Sequence, residues 1–185
     1  MDIVYLEKAY ICGPTLSSLL NSVIKVGHNV DGLLFGHFDC KSQQVFQDED
    51  SGLISVEEHE AHLTASLCSA TCCSFYNSSG ELDVDRLKSL LAFREPGLDS
   101  MIGWFSYRVE APLSPSLREG AVSRSLCASA ALHTAKQLAA KTPADATATA
   151  RKRLPPMLMM LISSSSNYHG GATLTLDYSS FKSGA

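Results

Sequence analysis

Apolar positions near the start of the chain recur with two periods, which predict a strand followed by a helix. Residues 2–12 alternate loosely between apolar and polar side chains, as in a half-buried strand. After a Gly-Pro break, the next apolar residues fall at helical spacing: Leu16, Leu19, Leu20, Val23 and Ile24. We expect Thr15 to cap this helix and Gly27 to end it.

The next part of the chain predicts strands with short connections. Residues 30–38, VDGLLFGHF, form a short apolar run with glycines at Gly32 and Gly36. Glycine inside a strand indicates a bulge or the close approach of another backbone. Residues 43–47 are the expected hairpin partner of this strand. Residues 63–76, rich in small and β-favouring residues, predict one or two central strands.

The second half predicts a turn, a helix, a strand, a long helix and two further strands. The expected positions are residues 77–80, 83–91, 101–107, from Ser114 or Ser116 to about 139, 157–162 and 172–181. Residues 141–153 are rich in Ala, Thr and Pro and have no apolar face, so we expect a flexible loop. The sum is an α/β domain in which helices flank a central mixed β-sheet.

Composition narrows the class of protein. A length of 185 residues fits a single domain, with 45% hydrophobic and 18% charged residues. The net charge of -4 argues against a nucleic-acid binder, and no apolar run reaches membrane-spanning length. The first residues lack the basic segment of a signal peptide. We therefore expect the six cysteines to be reduced thiols in a cytoplasmic or nuclear protein.

Three segments resemble the MPN (JAB1/MPN/Mov34) domains. VDGLLFG is similar to their E-x-x-G-L-L-x-G segment, and MIGWF to their strand ending in G-W-Y. The distance from there to SLRE resembles their H-x-H, seven residues, S-x-x-D element. In active members, the JAMM deubiquitinases, two histidines and the aspartate bind zinc. The upstream glutamate is the general base and the serine helps to hold the oxyanion. Three protein ligands leave a fourth zinc position open for water.

Most of these positions hold residues that cannot do this chemistry. Asn29 stands at the base position and cannot take a proton. Ser106 and Arg108 stand at the two histidine positions, and the fixed positive charge of arginine repels a metal. Ser116 matches the serine, and Glu119 replaces the aspartate. The resemblance therefore implies a degenerate, inactive MPN-minus site with no catalytic residue, no metal and no cofactor.

Within that branch, the chain is most similar to the Abraxas family. GWFSYR followed by SLRE resembles their sequence, as does LPPMLMMLISSS, although Ser106 replaces an expected arginine. The resemblance implies a scaffold that binds and activates a catalytic JAMM (MPN-plus) deubiquitinase specific for lysine-63-linked ubiquitin. Such scaffolds work with other subunits in BRISC-type and DNA-damage complexes. Family members carry a coiled coil after this domain, so we expect residues 1–185 to be one domain of a longer chain.

Two alternatives remain open at this point. The chain could be an MPN-minus subunit of another assembly, such as the proteasome lid, the signalosome or an initiation factor. It could also be a hydrolase with a divergent metal set drawn from His28, His37, His59 or His62. The missing base and ligands favour the scaffold.

The histidine and cysteine clusters are interpreted as structural. Residues 59–62, HEAH, miss the spacing of the H-E-x-x-H zinc motif, and we expect a solvated acidic turn before a strand. Cys68, Cys72 and Cys73 do not form paired C-x-x-C motifs. They are expected to be small apolar residues of buried strands.

Three other features are also assigned to structure. Residues 163–166 are a serine run without a nucleophile motif, and we expect a sheet edge or a loop. Trp104 is expected in the core. The long helix has one stripe that packs on its own sheet or, alternatively, on a partner: Leu117, Val122, Leu126, Ala130 and His133.

The last expectation concerns charge at the degenerate site. Without a metal, Glu119 needs another positive partner, and Arg108 is placed beside it by the resemblance. We expect the guanidinium to contact that carboxylate in a bidentate manner. Ser116 and Glu119 also have the S-x-x-E spacing of a capping box at the start of the long helix.

Overall fold

A computed structural model of the chain describes residues 3–46, 53–92, 100–141, 157–167 and 173–183. Within these residues lie six strands: β1 Ile3–Ile11, β2 Val30–Phe46, β3 Leu53–Cys68, β4 Met101–Val109, β5 Met157–Asn167 and β6 Thr173–Ser183. The helices are α1 Gly13–Val26, α2 Val84–Leu91 and α3 Leu117–Lys141. The α/β class with a central sheet is confirmed.

The sheet is mixed, with the strand order β1-β3-β2-β4-β5-β6. β1 lies parallel to β3, and β4 lies parallel to β5. The β3–β2, β2–β4 and β5–β6 pairs are antiparallel. β2 and β4 therefore lie at the centre, where side chains on both faces are buried. This arrangement places the end of β4 in the interior of the sheet rather than at an edge.

Helices cover both faces of the sheet and form two apolar layers. On one face, Leu19 and Val23 of α1 pack with Leu34 and Phe105 of the central strands. The second layer holds residues of α2, α3 and the other face of the strands: Leu87, Val122, Leu126, Leu33, Trp104 and Met159. The alternation of side chains along each strand produces this division.

The two glycines of β2 lie where the chains approach too closely for a side chain. A Cβ built on Gly32 would be 2.2 Å from the carbonyl oxygen of Leu67, and one on Gly36 would be 1.8 Å from that of His62. The pairing with β3 shifts register between Phe35 and Gly36, as in a bulge. The expectation of close backbone approach is confirmed.

Several predicted boundaries are wrong, because pairing across the sheet extends the strands. Residues 43–47 were expected to be a hairpin partner, but β2 itself continues to Phe46 and pairs with β3. The strand expected within residues 63–76 ends at Cys68, and the residues after it form bends and turns. The serines of residues 163–166 continue β5. Ser163 and Ser164 pair with both neighbouring strands and are buried, whereas Ser165 and Ser166 pair with β6 only.

Helix ends show which local signals are used. The N-cap of α1 is Cys12, without a side-chain cap hydrogen bond, so the cap predicted at Thr15 is wrong. The Thr15 hydroxyl instead donates to the carbonyl oxygen of Thr64 at 3.0 Å. Gly27 ends α1 in the left-handed region at φ 69°, as predicted. Asp83 caps α2 by accepting from the amide of Arg86 at 3.1 Å.

Two expectations lie partly or wholly outside the described residues. The loop predicted at residues 141–153 lies outside the described residues except for Lys141, which is the last residue of α3. Pro96 and Gly97, which predict the end of the helix at residues 83–91, lie wholly outside the described residues. Among the described helices, none combines the length and the apolar character needed to cross a membrane.

Candidate degenerate site

The degenerate site forms where β4 ends and α3 begins. β4 runs through the centre of the sheet and carries Arg108 one residue before its end. The chain then turns and enters α3, whose first residue is Leu117. α3 packs on the sheet through Val122 and Leu126, which fixes its first turn above the end of β4.

Arg108 and Glu119 form a largely buried ion pair. Nη1 of Arg108 lies 3.5 Å from Oε2 of Glu119, and the two side chains are 18% and 4% exposed. Nη2 of Arg108 donates to the carbonyl oxygens of Pro112 at 2.6 Å and Ser114 at 3.1 Å. The predicted contact is confirmed, but the bidentate geometry is not, because the second nitrogen serves the turn. Arg108 therefore ties the connection between β4 and α3 to the carboxylate.

Ser116 and Glu119 form the expected capping box. The amide of Glu119 donates to Oγ of Ser116 at 3.2 Å, and the amide of Ser116 donates to Oε2 of Glu119 at 2.7 Å. Two backbone donors at the start of α3 are thereby satisfied. One oxygen, Oε2, both accepts in the cap and faces the guanidinium.

The other two positions of the degenerate site, Asn29 and Ser106, make different contacts. Oδ1 of Asn29 accepts from the amide of Val109 at 2.9 Å and so joins β2 to the end of β4. Ser106 is buried and pairs in register with Asp31 of β2. The structure thus brings Arg108, Ser116 and Glu119 together, while Asn29 contacts the end of β4 and Ser106 pairs with β2. The side chains of Asn29, Arg108, Ser116 and Glu119 each hydrogen-bond to backbone groups.

A buried acid that the sequence analysis missed lies beside this site. Asp31 is buried, and its Oδ2 accepts from the hydroxyl of Tyr76 and from the amide of Cys73. Burial raises the pKa of Asp31, against the opposing effect of these hydrogen bonds. Burial, followed by the charge of Asp31, also raises the pKa of Tyr76. The available signal was an aspartate inside the apolar run VDGLLFG.

We expect Asp31→Asn to change how stability depends on pH. Because the pKa is raised in the folded state, the native chain binds more protons than the unfolded chain above about pH 3.9. The stability of the unchanged protein should therefore fall, relative to the variant, as pH rises from about 4 through the folded pKa. The slope is at most about 1.4 kcal/mol per pH unit for one proton.

Urea unfolding of both proteins between pH 4 and 7 measures this difference. Asp85→Asn is the matched control, because the Asp85 side chain is 96% exposed and should give a nearly flat difference. A flat difference for Asp31→Asn, or one of opposite sign, would show that burial does not govern this carboxyl group.

Trp104 fills the core beneath the site, as expected. It is fully buried, and its Nε1 donates to Oγ of Ser123 on α3 at 2.9 Å. The rings of Phe75 and Tyr76 meet it edge to face at 6.2 and 6.0 Å. Of the predicted stripe on α3, Val122 and Leu126 pack on the sheet, whereas Leu117 is 94% exposed. The side chain of His133 lies outside the described residues.

The HEAH segment at residues 59–62 is part of β3, so the prediction of an acidic turn is wrong. Glu60 of β3 is buried and accepts a 2.7 Å hydrogen bond from Nζ of Lys41 on β2. His62 stacks on His37, directly opposite it on β2. His28 lies apart from both, bonded to the carbonyl oxygens of Val26 and Ala70. The side chain of His59 is outside the described part of the chain.

The cysteines near the site are free and do not form the expected strand cluster. Cys68 ends β3, and Cys72 and Cys73 lie in the turns that follow it. Burial, and then the charge of Asp31, raises the pKa of Cys72 to about 11. A thiol with a raised pKa is a poor metal ligand at neutral pH, since the thiolate is the ligand.

Comparison with known protein families gives one match. The model of the family described as "BRCA1-A complex subunit Abraxas 1 MPN domain" matches residues 10–150. These residues include β2, β3, β4 and the first turn of α3, and therefore the whole degenerate site. No curated protein matches the chain.

Proposed function

We propose that this chain, which belongs to the Abraxas 1 family of MPN domains, is a non-catalytic scaffold for a JAMM deubiquitinase. In this proposal it binds the catalytic MPN subunit and raises its activity on lysine-63-linked ubiquitin chains. Further scaffold subunits would join the same BRISC-type assembly in the cytoplasm or nucleus. The observation that supports the proposal is the ion pair of Arg108 and Glu119. The resemblance assigns these two positions to a histidine and an aspartate that bind zinc in active members.

The chemistry of the site supports the absence of hydrolysis. A zinc hydrolase needs neutral or anionic ligands around an open metal position and a base that accepts a proton from water. Arg108 brings a permanent positive charge to this place, and its guanidinium is held by the carboxylate and two carbonyl oxygens. Asn29 is bound to the backbone and has no group that accepts a proton at neutral pH.

The surface around the pair supports a partner there. Leu117 begins α3 and is the most exposed of the large apolar side chains in the described part of the chain. Val109, at the end of β4, is also exposed. Val109 follows Arg108 in the sequence and Leu117 precedes Glu119 by two residues, so both mark this end of the domain as the candidate partner surface. A stable interface of this kind buries on the order of 1,600 Å² in total.

Co-expression with a catalytic MPN subunit specific for lysine-63 linkages tests the proposal. We expect a heterodimer on size-exclusion chromatography and a higher rate of chain cleavage than the catalytic subunit shows alone. The chain by itself should cleave no ubiquitin. Two independent monomers with unchanged activity, or cleavage by this chain alone, would contradict the scaffold function.

A pair of variants locates the partner surface in the same experiment. Leu117→Glu should weaken the heterodimer without loss of stability, because the side chain makes little contact within the chain. Ile24→Glu on α1 is the control, since Ile24 is exposed and α1 packs on the opposite face of the sheet from α3. Equal heterodimer formation by both variants would place the interface elsewhere.

A further inference from the structure

Two histidines and an aspartate meet on one face of the β2–β3 pair. His37 lies directly opposite His62 in the register of the two strands. Asp39 follows His37 by two residues on β2, and side chains two apart point to the same face. The ligand atoms of the three residues all lie within 4.8 Å of one another. Sheet geometry alone therefore brings together two imidazoles and a carboxylate.

The distances fit the coordination shell of a small divalent cation. Nε2 of His62 lies 3.3 Å from Oδ2 of Asp39. Two ligands about 2.1 Å from a tetrahedral zinc ion lie roughly 3.4 Å apart. Nε2 of His37 is somewhat farther, 3.9 Å from Oδ1 of Asp39, but this side chain is 59% exposed. Rotation of an exposed imidazole about its side-chain torsions can close that gap.

His62 is held in place, but its Nε2 makes no hydrogen bond, even to the Asp39 carboxylate 3.3 Å away. Its ring stacks between Tyr10, with centroids 4.9 Å apart, and His37, at 5.0 Å. The Nε2 atom is also buried. A buried polar atom without a partner is unfavourable, and a bound cation would satisfy it. The neighbouring carboxylate of Glu60 is already engaged by Lys41, which leaves Asp39 to supply the negative charge.

We propose that His37, Asp39 and His62 bind a divalent transition-metal ion of the zinc class. Two imidazole nitrogens and one carboxylate oxygen suit zinc, cobalt and related ions rather than calcium or magnesium. The three ligands leave a position open toward the surface, where both rings line a pocket with Tyr10. The site is separate from the degenerate one: Val30, which pairs with Tyr107 at the end of β4, lies roughly 23 Å from His37 along an extended strand.

Cobalt titration of the purified, metal-free full chain tests the site. We expect one Co²⁺ per chain, with the visible absorption of a nitrogen and oxygen ligand set. Zinc should displace the cobalt. The variants His37→Gln, His62→Gln and Asp39→Asn should each weaken binding at least about tenfold, the order of loss seen when a metal site is disturbed. His28→Gln is the matched control and should bind as the unchanged protein does, since His28 lies outside the cluster.

The cobalt spectrum also distinguishes this ligand set from one that includes a thiolate. Cys12 lines the same pocket, and hydrogen bonding to Thr15 lowers the pKa of its thiol. An intense thiolate-to-cobalt absorption band, lost in Cys12→Ser, would overturn the proposed ligand set. So would absence of binding, or affinity unchanged in both histidine variants. Circular dichroism of the metal-free variants should match the unchanged protein, so that weaker binding is not a sign of misfolding.

Discussion

Gly32→Ala is expected to destabilise the protein by about 3 kcal/mol or more, a larger effect than that of most single substitutions. The added Cβ would lie 2.2 Å from the carbonyl oxygen of Leu67 and 2.3 Å from the ring of Phe105. The first neighbour is backbone of the adjacent strand, so relief requires β2 and β3 to move apart. Urea unfolding at neutral pH measures the loss.

Gly13→Ala is the control for this prediction. A Cβ on Gly13 would meet nothing within 4 Å, and the residue lies in the first turn of α1. Alanine there would crowd only the ring of the following Pro14, so the loss of stability should be much smaller than that of Gly32→Ala. Similar losses for both variants would mean that contact at the sheet centre is not the cause.

Arg108→Ala is expected to cost about 3 kcal/mol, the usual scale for breaking a buried ion pair. The reason is that Glu119 stays buried, 4% exposed, with its charge no longer balanced. Glu119→Gln removes that charge but keeps an oxygen for the capping box. The double variant should therefore lose less free energy of unfolding than the sum of the losses in the two single variants. Unfolding melts in a double-mutant cycle measure this coupling.

Arg86→Ala provides the comparison with an exposed pair. Nε of Arg86 lies 3.1 Å from Oδ2 of Asp83, but the Arg86 side chain is 63% exposed. Its removal should cost less than about 1 kcal/mol. Additive losses for Arg108→Ala and Glu119→Gln would show that the arginine does not balance the buried acid.

The features predicted correctly depend on local rules. Gly27 ends α1 because the left-handed conformation favours glycine, and Ser116 with Glu119 caps α3 because the two side chains satisfy nearby amides. The contact of Arg108 with Glu119 followed from the resemblance, which placed the end of β4 beside the start of α3.

The errors arise where long-range pairing decides the structure. Residues 39–42 carry no strong strand signal and were expected to separate two strands, yet pairing with β3 continues β2 through them to Phe46. The serines of β5 favour turns in isolation, but two of them are buried and bonded: Ser163 donates to the carbonyl oxygen of Ala111, and Ser164 bonds to Tyr107. The pattern of apolar and polar residues within one segment does not show which residues elsewhere in the chain will pair with it.

The sequence analysis named His37 and His62 among possible metal ligands but did not place them beside Asp39, for the same reason. The three residues lie on two strands, and their meeting depends on a register that the bulge between Phe35 and Gly36 sets. A shift of one residue would turn one histidine to the opposite face. The sequence supplied the residue types, while the sheet supplied their proximity.

Trp104 gives the chain an internal optical reporter. It is the single tryptophan of the sequence and is fully buried between β4 and α3. An indole in such an apolar place emits at shorter wavelength than one in water, so its fluorescence reports water entry at this point. Since Ser123 of α3 accepts its hydrogen bond, separation of α3 from the sheet alters the same signal. The emission spectrum of Trp104 therefore reports the packing of α3 on the sheet, which positions Arg108 and Glu119.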